Sequence, residues 1–158
     1  MVKMSAPNRV ASAVNMVTLS LISHTNAGKT TLARTLLRRD VGEVRDAPHV
    51  TLFNESHTLI ETSEETLRLW DTPGFGDSTR LLKRLQREKN PVFWFLSQAW
   101  DRFTDRPLWC SQQALKNVRD EADVVLYLVN AAEPPEAAAY IGPEMEILSW
   151  VEKPVVVL

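Results

Sequence analysis

The sequence has little of several features that would assign it quickly to a class. Cys110 has no second cysteine to pair with, which excludes an internal disulfide and is typical of a reducing compartment. No apolar run reaches the length of a membrane-spanning helix. The net charge of −2 gives no overall field that would attract nucleic acid or an anionic membrane, so there is no direct nucleic-acid signal.

What is present is an ordinary globular composition. The 158 residues are 44% hydrophobic and 24% charged, which predicts about one domain with a real core. Residues 1–14 are expected to be a loosely ordered lead-in. The mildly apolar residues 10–22 contain polar side chains and run directly into a phosphate-binding motif, which argues against a signal peptide.

Residues 23–30, Ser-His-Thr-Asn-Ala-Gly-Lys-Thr, have the spacing of a Walker A phosphate-binding loop. Gly28 lets the backbone approach phosphate, Lys29 can reach the β and γ oxygens, and the Thr30 hydroxyl can ligate Mg²⁺. The first position of the pattern is normally glycine and is Ser23 here. The predicted nucleotide-binding residues of the loop are Ser23, Asn26, Ala27, Gly28, Lys29, Thr30 and Thr31.

The flanking segments favour this interpretation. Residues 16–22 are rich in β-branched and apolar side chains and predict a buried parallel strand. Residues 31–39 place Leu32, Ala33, Leu36 and Leu37 on one face of a helix, which is predicted to end near residues 41–42.

A second motif follows a predicted β-hairpin formed by residues 57–62 and 66–71. Asp71-Thr72-Pro73-Gly74 stands at the carboxyl end of the second strand, at the sheet edge where ligands bind in α/β folds. The Asp71 carboxylate can hold the Mg²⁺ of a nucleotide through water, and the Gly74 N–H can contact a γ-phosphate. We therefore expect the two motifs to face one site.

Together these residues resemble the TrmE, Era and EngA group of translation-factor-type GTPases, whose phosphate loop typically reads Asn-x-Gly-Lys-[Ser/Thr]. The resemblance implies a three-layer α/β P-loop fold with a mostly parallel sheet and one antiparallel strand. It also implies that residues 15–158 are an incomplete GTPase domain that hydrolyses GTP to GDP slowly with Mg²⁺. By the same resemblance, Thr51 in switch I is a further Mg²⁺ ligand, Asp71 opens switch II, and the catalytic residues are Lys29, Thr51 and Gly74.

Two positions refine the expected mechanism. Phe75 occupies the position after Gly74, where Ras-like proteins carry a glutamine that orients the attacking water. Catalysis through such a glutamine is therefore excluded at this position. In the resembling group, the asparagine that matches Asn26 can coordinate K⁺ in a site completed by dimerisation across the switches. Asn26 is also explicable as an ordinary turn residue. No general base is assigned, and Asp77 is only a weak candidate.

The middle of the chain predicts a basic amphipathic helix over residues 79–89, an aromatic stripe from residue 92 to 103 and a helix over residues 108–119. Residues 92–109 are candidates for docking a partner protein or a membrane interface, although packing against the sheet is the favoured interpretation. The histidines show no metal-ligand spacing and are expected at solvated positions; they are His24, His49 and His57.

The C-terminal part predicts a buried strand over residues 123–130, a helix over residues 136–151 interrupted at Gly142-Pro143, and a strand over residues 155–158. In the resembling family that last strand leads into Asn-Lys-x-Asp, which reads guanine and is absent here. The chain is therefore expected to be the N-terminal part of a longer protein, truncated before the last strand and helices. Its expected location is the cytoplasm, with peripheral inner-membrane association as an alternative for a longer protein.

Two other functions stay open from the sequence alone. The phosphate motifs by themselves do not exclude an ATP-using P-loop enzyme, although Asp71-Thr72-Pro73-Gly74 argues against it. The second is a nucleotide-dependent interaction module with negligible catalysis, which Phe75 leaves open.

Overall fold

The computed structural model describes residues 15–38, 54–87, 103–134 and 136–158. These residues contain a five-stranded sheet in the order β2-β3-β1-β4-β5. The strands are β1 (Asn15–Ser23), β2 (Glu55–Glu61), β3 (Glu65–Asp71), β4 (Val124–Leu128) and β5 (Val155–Val157).

The central strand β1 lies parallel to both of its neighbours, β3 and β4. Strand β5 continues the parallel arrangement beside β4, and β2 is the one antiparallel strand because a tight turn joins it to β3. This arrangement confirms the predicted α/β fold class and the predicted hairpin. All four parallel strands end at the same edge of the sheet, which is where both predicted motifs begin.

Helices cover both faces of the sheet. Successive side chains of a strand point to opposite faces, and accordingly Leu21 and Ile22 of β1 belong to two separate hydrophobic clusters. Leu21 packs with Ala33 of the first helix, whereas Ile22 packs with Leu81 and Ile147 of later helices. The result is the three-layer architecture expected from the resemblance.

Four helices lie within the described ranges: α1 (Lys29–Leu37), α2 (Ser78–Arg87), α3 (Arg106–Glu121) and α4 (Ile141–Ser149). Helix α3 starts where the Asp105 side chain accepts a hydrogen bond from the Leu108 N–H, with Pro107 in the first turn. Cys110 on this helix is fully buried and fills the core. Over the described parts of the chain, no helix combines the length and apolarity needed to cross a membrane.

Two helix predictions were wrong at their ends. Helix α1 stops at Leu37, several residues early, because Arg38 adopts the left-handed conformation (φ 54°) and its N–H closes the last turn. Leu36 is 46% exposed and so does not belong to the buried face. Helix α4 begins at Ile141, and Gly142 and Pro143 form its first turn instead of interrupting it, since proline is tolerated where N–H groups have no intrahelical partner.

Several predictions concern residues outside the described ranges. These are the lead-in 1–14, switch I with His49 and Thr51, and the aromatic stripe over residues 92–102. At the described end of that stripe, Phe103 is 84% exposed while Leu108 is buried in the core.

Candidate functional site

The phosphate-binding loop connects the end of β1 directly to the start of α1. Gly28 is the N-cap of α1 and has φ +89°, a conformation that side chains rarely adopt. Asn26 also has positive φ (63°) and is exposed at the loop surface, which asparagine tolerates better than most residues. No side chain caps the start of α1, and the first N–H groups of a helix have no intrahelical partner, which is what an anion-binding helix start requires.

Lys29 lies across the base of this loop and is 7% exposed. Its Nζ donates a hydrogen bond of 2.9 Å to Ser23 Oγ, and Ser23 Oγ in turn donates to the His24 carbonyl at 2.6 Å. Burial lowers the pKa of Lys29 to about 8, while the nearby Asp71 and Glu144 carboxylates oppose that change. Ser23, which departs from the glycine of the pattern, thus serves to hold the lysine in place.

Thr30 and Asp71 meet beside the loop as the two motifs predicted. Thr30 Oγ1 donates a 2.6 Å hydrogen bond to Asp71 Oδ2, and Asp71 is 1% exposed. Burial raises the pKa of Asp71, against the effects of the Thr30 hydrogen bond and the Lys29 charge. Asp71 Oδ1 is buried and accepts no hydrogen bond from the described residues. A hydroxyl and a carboxylate with a spare oxygen are the hard ligands that Mg²⁺ prefers, so these residues fit the metal.

Gly74 packs tightly against the phosphate loop. A Cβ atom there would lie 2.8 Å from Thr25 Cα and 3.0 Å from Lys29 Nζ. Two backbone hydrogen bonds next to Gly74 hold the two motifs together. The Phe75 N–H donates to Ser23 O, and the Thr25 N–H donates to Phe75 O. Only glycine fits this junction between the two motifs without displacing backbone.

Two residues that follow the second motif turn out to be structural. Phe75 is fully buried in the core beneath the sheet edge, so its side chain is not directed at the site. Asp77 Oδ1 accepts a hydrogen bond from the Arg80 N–H, and its carbonyl accepts one from Leu81, which makes it a cap of α2. Its proposed role as a general base is therefore not supported by its position.

The structure adds a group of polar side chains that the sequence analysis missed. His24 Nδ1 lies 2.8 Å from Glu144 Oε1, and Tyr127 Oη donates a 2.8 Å hydrogen bond to Glu144 Oε2. The His24 ring stacks on Tyr140 with centroids 4.1 Å apart. The prediction that His24 is a solvated loop residue was wrong, and the His57 side chain, 12% exposed, is also largely buried. The sequence carries no clear signal of this role, because α4 has two acids, Glu144 and Glu146, and only the structure shows that Glu144 is the buried one.

The structure thus brings together five of the predicted residues in direct contact, namely Ser23, Lys29, Thr30, Asp71 and Gly74. Asn26, Ala27, Gly28 and Thr31 lie on the same loop and helix start. Thr51 belongs to the undescribed segment, and nothing tests its predicted role.

Comparisons with known proteins identify the class of this site. A family model described as "50S ribosome-binding GTPase" matches residues 18–158. No curated protein sequence matches the chain. The fold is similar to that of Era from Aquifex aeolicus, solved as a variant bound to GDP and AlF₄⁻, with a TM-score of 0.64 and 20% identity over 91% of this chain. Era in complex with MgGDPNP and a 16S ribosomal RNA fragment gives a TM-score of 0.61 and 20% identity over 92% of this chain.

The match covers only part of those proteins. The chain spans 40% of the length of each of the two Era chains. At 20% identity the likeness shows the fold, and the family assignment rests on the family model.

Proposed function

Because the chain belongs to the family of 50S ribosome-binding GTPases, we propose that it binds GTP at residues 23–30 and hydrolyses it slowly to GDP in order to switch between two states. The family favours guanine over adenine nucleotides, which argues against the ATP-using alternative. In this proposal the domain binds GTP and cleaves one phosphoanhydride bond of the bound nucleotide.

One observation carries the proposal: the second motif brings a buried carboxylate into contact with the Thr30 hydroxyl, next to the buried Lys29 of the phosphate loop. Thr30 Oγ1 contacts Asp71, and Lys29 Nζ is held by Ser23 Oγ. Among the described residues, Asp71 Oδ1 has no hydrogen-bond donor. A buried acceptor in that state has a free energy cost of about 1–3 kcal/mol, which a bound ligand would remove.

The residues of the site have the following proposed roles. Thr30 and Asp71 would hold Mg²⁺, which supplies positive charge to the phosphate oxygens. Lys29 supplies a second positive charge at the β and γ phosphates, and the N–H groups at the start of α1 bind the same anion. The Gly74 N–H contacts the γ-phosphate, and this contact is lost after hydrolysis. Gly74 is therefore the sensor of the nucleotide state.

We further propose that K⁺ stimulates turnover and that two copies pair across the switch regions. Asn26 is exposed at the loop surface, where its amide oxygen can ligate a cation. Phe75 is buried, so the glutamine route to catalysis is closed at that position. A monovalent cation would supply the positive charge that other GTPases obtain from an arginine finger.

The test is GTP turnover in K⁺ against Na⁺ for the wild type and two variants of Asn26. Asn26→Gly removes the ligand but keeps the positive φ, whereas Asn26→Asp keeps an oxygen ligand. We expect faster turnover in K⁺ for the wild type, no K⁺ effect for Asn26→Gly, and partial retention for Asn26→Asp. Equal rates in K⁺ and Na⁺ for the wild type would refute this part of the proposal.

The partner and the location belong to the same proposal. The family description names 50S ribosome binding, and a large ribosomal subunit is therefore the first partner to test, by nucleotide-dependent co-sedimentation. The cytoplasm is the proposed location, with peripheral inner-membrane association as the alternative. Residues 92–109 remain a proposed docking segment, in which Phe103 is 84% exposed and Leu108 is buried in the core.

A nucleotide-dependent interaction module is the second candidate. Phe75 is buried in the core and Asp77 caps α2, so neither side chain is positioned to orient the attacking water. Tight GTP binding with no turnover in K⁺ would favour the module, whereas K⁺-stimulated turnover would favour the enzyme.

A further inference from the structure

A polar cluster centred on the buried side chains of Tyr127 and Glu144 contacts the phosphate loop through His24. Its members are His24, Tyr127, Tyr140 and Glu144. Glu144 is fully buried in the first turn of α4, and both of its oxygens are engaged, Oε1 by His24 and Oε2 by Tyr127. Nothing in the phosphate-loop pattern requires an acid at this place.

The contact fixes how His24 sits in the loop. A carboxylate only accepts hydrogen bonds, so His24 Nδ1 must be the donor when Glu144 is ionised. The Tyr140 ring lies nearly parallel to the imidazole, at an interplanar angle of 15°, and restricts its rotation. The Tyr140 hydroxyl is itself anchored, because it donates a 2.8 Å hydrogen bond to Glu133.

The residues on either side of His24 position two groups of the nucleotide-binding site. Ser23 supplies the hydroxyl that holds Lys29 Nζ, and Thr25 is the residue against which Gly74 packs. His24 itself forms a parallel bridge with Phe75, the residue after Gly74. A displacement of His24 would therefore shift the supports of both Lys29 and Gly74.

We propose that Glu144 is a positioning residue of the GTPase site, which acts through His24 to hold the phosphate loop and the start of switch II at the spacing that Lys29 and Gly74 require. This inference rests on the proposed function, since the geometry it protects is that of nucleotide binding. Charge-assisted hydrogen bonds are shorter and stronger than neutral ones, which suits a contact that must fix a loop.

The test compares Glu144→Met with Glu146→Met. Glu146 is on the same helix but is exposed, and it contacts Gln86 on α2 instead of the loop. Methionine is close to glutamate in volume, but it leaves His24 Nδ1 and the Tyr127 hydroxyl without their acceptor, so folding of the variant is checked by circular dichroism before the rate is measured. We expect GDP to dissociate about tenfold faster from Glu144→Met, the equivalent of one hydrogen bond to a charged group, and no change for Glu146→Met.

A double-variant cycle shows whether Glu144 acts through His24. If it does, His24→Ala and Glu144→Met each accelerate GDP dissociation, and the double variant is no faster than His24→Ala alone. Glu144→Gln, which can still accept from His24 but without the charge, should give a rate between those of the wild type and Glu144→Met. Additive effects of the two substitutions, or unchanged GDP dissociation in folded Glu144→Met, would overturn the proposal.

A nucleotide-free measurement separates this inference from the proposed function. In the ¹⁵N spectrum, His24 Nδ1 should carry hydrogen in the wild type and lose it to Nε2 in Glu144→Met, with amide shifts that extend through residues 25–30. These changes are expected even if the protein fails to bind guanine nucleotide, an outcome that would count against the proposed function alone. An unchanged His24 tautomer and unchanged loop amides would contradict the positioning role.

Discussion

Two buried carboxylates flank the phosphate loop, and they differ in how their oxygens are used. Asp71 has one oxygen hydrogen-bonded to Thr30 and a second oxygen without a donor among the described residues. Glu144 has both oxygens hydrogen-bonded, to His24 and Tyr127. They are almost equally buried, at 1% and 0% exposure.

Burial alone therefore does not distinguish a ligand-binding carboxylate from a positioning one. An unfilled acceptor is costly in a buried place and marks a group whose partner arrives from outside. A buried carboxylate whose two oxygens are both hydrogen-bonded carries no such cost, and it fixes the residues that donate to it. By this criterion Asp71 belongs to the metal site and Glu144 to the support of the loop.

The largest effect should come from Lys29, the buried cation on which both carboxylates act electrostatically. Lys29→Met removes the charge that meets the β and γ phosphates, and we expect GTP turnover to fall at least about 100-fold, the usual scale for one electrostatic stabiliser. Steady-state phosphate release measures this. Turnover within a fewfold of the wild type would show that the loop does not bind the reacting phosphates.

Asp71→Asn and Glu144→Gln test the contrast directly, because each replaces a carboxyl group by an amide of nearly the same shape. We expect Asp71→Asn to require much more Mg²⁺ for half-maximal turnover, by about tenfold or more, since a neutral amide is a poorer ligand for a hard cation. Glu144→Gln should leave the Mg²⁺ requirement unchanged. Equal shifts in the two Mg²⁺ titrations would abolish the distinction between the carboxylates.

Gly74→Ala probes the rigid contact on the Asp71 side of the loop. The added Cβ would meet the Thr25 backbone at 2.8 Å, and backbone cannot move as a side-chain tip can. We expect the free energy of unfolding to fall by about 1–3 kcal/mol, the typical cost of overpacking. Urea denaturation measures this, with Gly142→Ala as the control because nothing lies within 4 Å of its Cβ position.

Tyr127→Phe probes the Glu144 side and should have the smallest effect. Burial and the neighbouring Glu144 carboxylate raise the pKa of Tyr127, so its hydroxyl remains a donor at all ordinary pH values. Its removal leaves one Glu144 oxygen unfilled, and we expect a loss of about 1–2 kcal/mol in the free energy of unfolding. The Mg²⁺ requirement should stay at the wild-type value, and a change in it would argue that Tyr127 reaches the metal site.

Much of the Asp71 side could be predicted from sequence because local rules determine it. The loop of residues 23–30 has fixed spacing between a strand and a helix, and Asp71 ends a strand with clear alternation. Parallel strands that end at one edge then bring Thr30 and Asp71 into contact without further information. The same reasoning placed β1, β3 and β4 correctly.

The Glu144 side could not be predicted in this way. The contact between His24 and Glu144 joins residues 120 positions apart, and it depends on the start of α4 at Ile141. Gly142 and Pro143 predict an interruption when the helix is taken to begin at residue 136, whereas proline in a first turn favours helix initiation. Because the start of this helix was predicted wrongly, the sequence did not reveal the contact between Glu144 and His24.

The most direct test of the account is competition for the loop of residues 23–30 by guanine and adenine nucleotides. Labelled GDP bound to the protein in Mg²⁺ and K⁺ is challenged with GTP or with ATP, for the wild type and for Lys29→Met. We predict that GTP displaces the label from the wild type, that ATP in large excess does not, and that Lys29→Met binds little label. Equal displacement by ATP, or undiminished binding by Lys29→Met, would contradict the assignment of this loop as a guanine-nucleotide site.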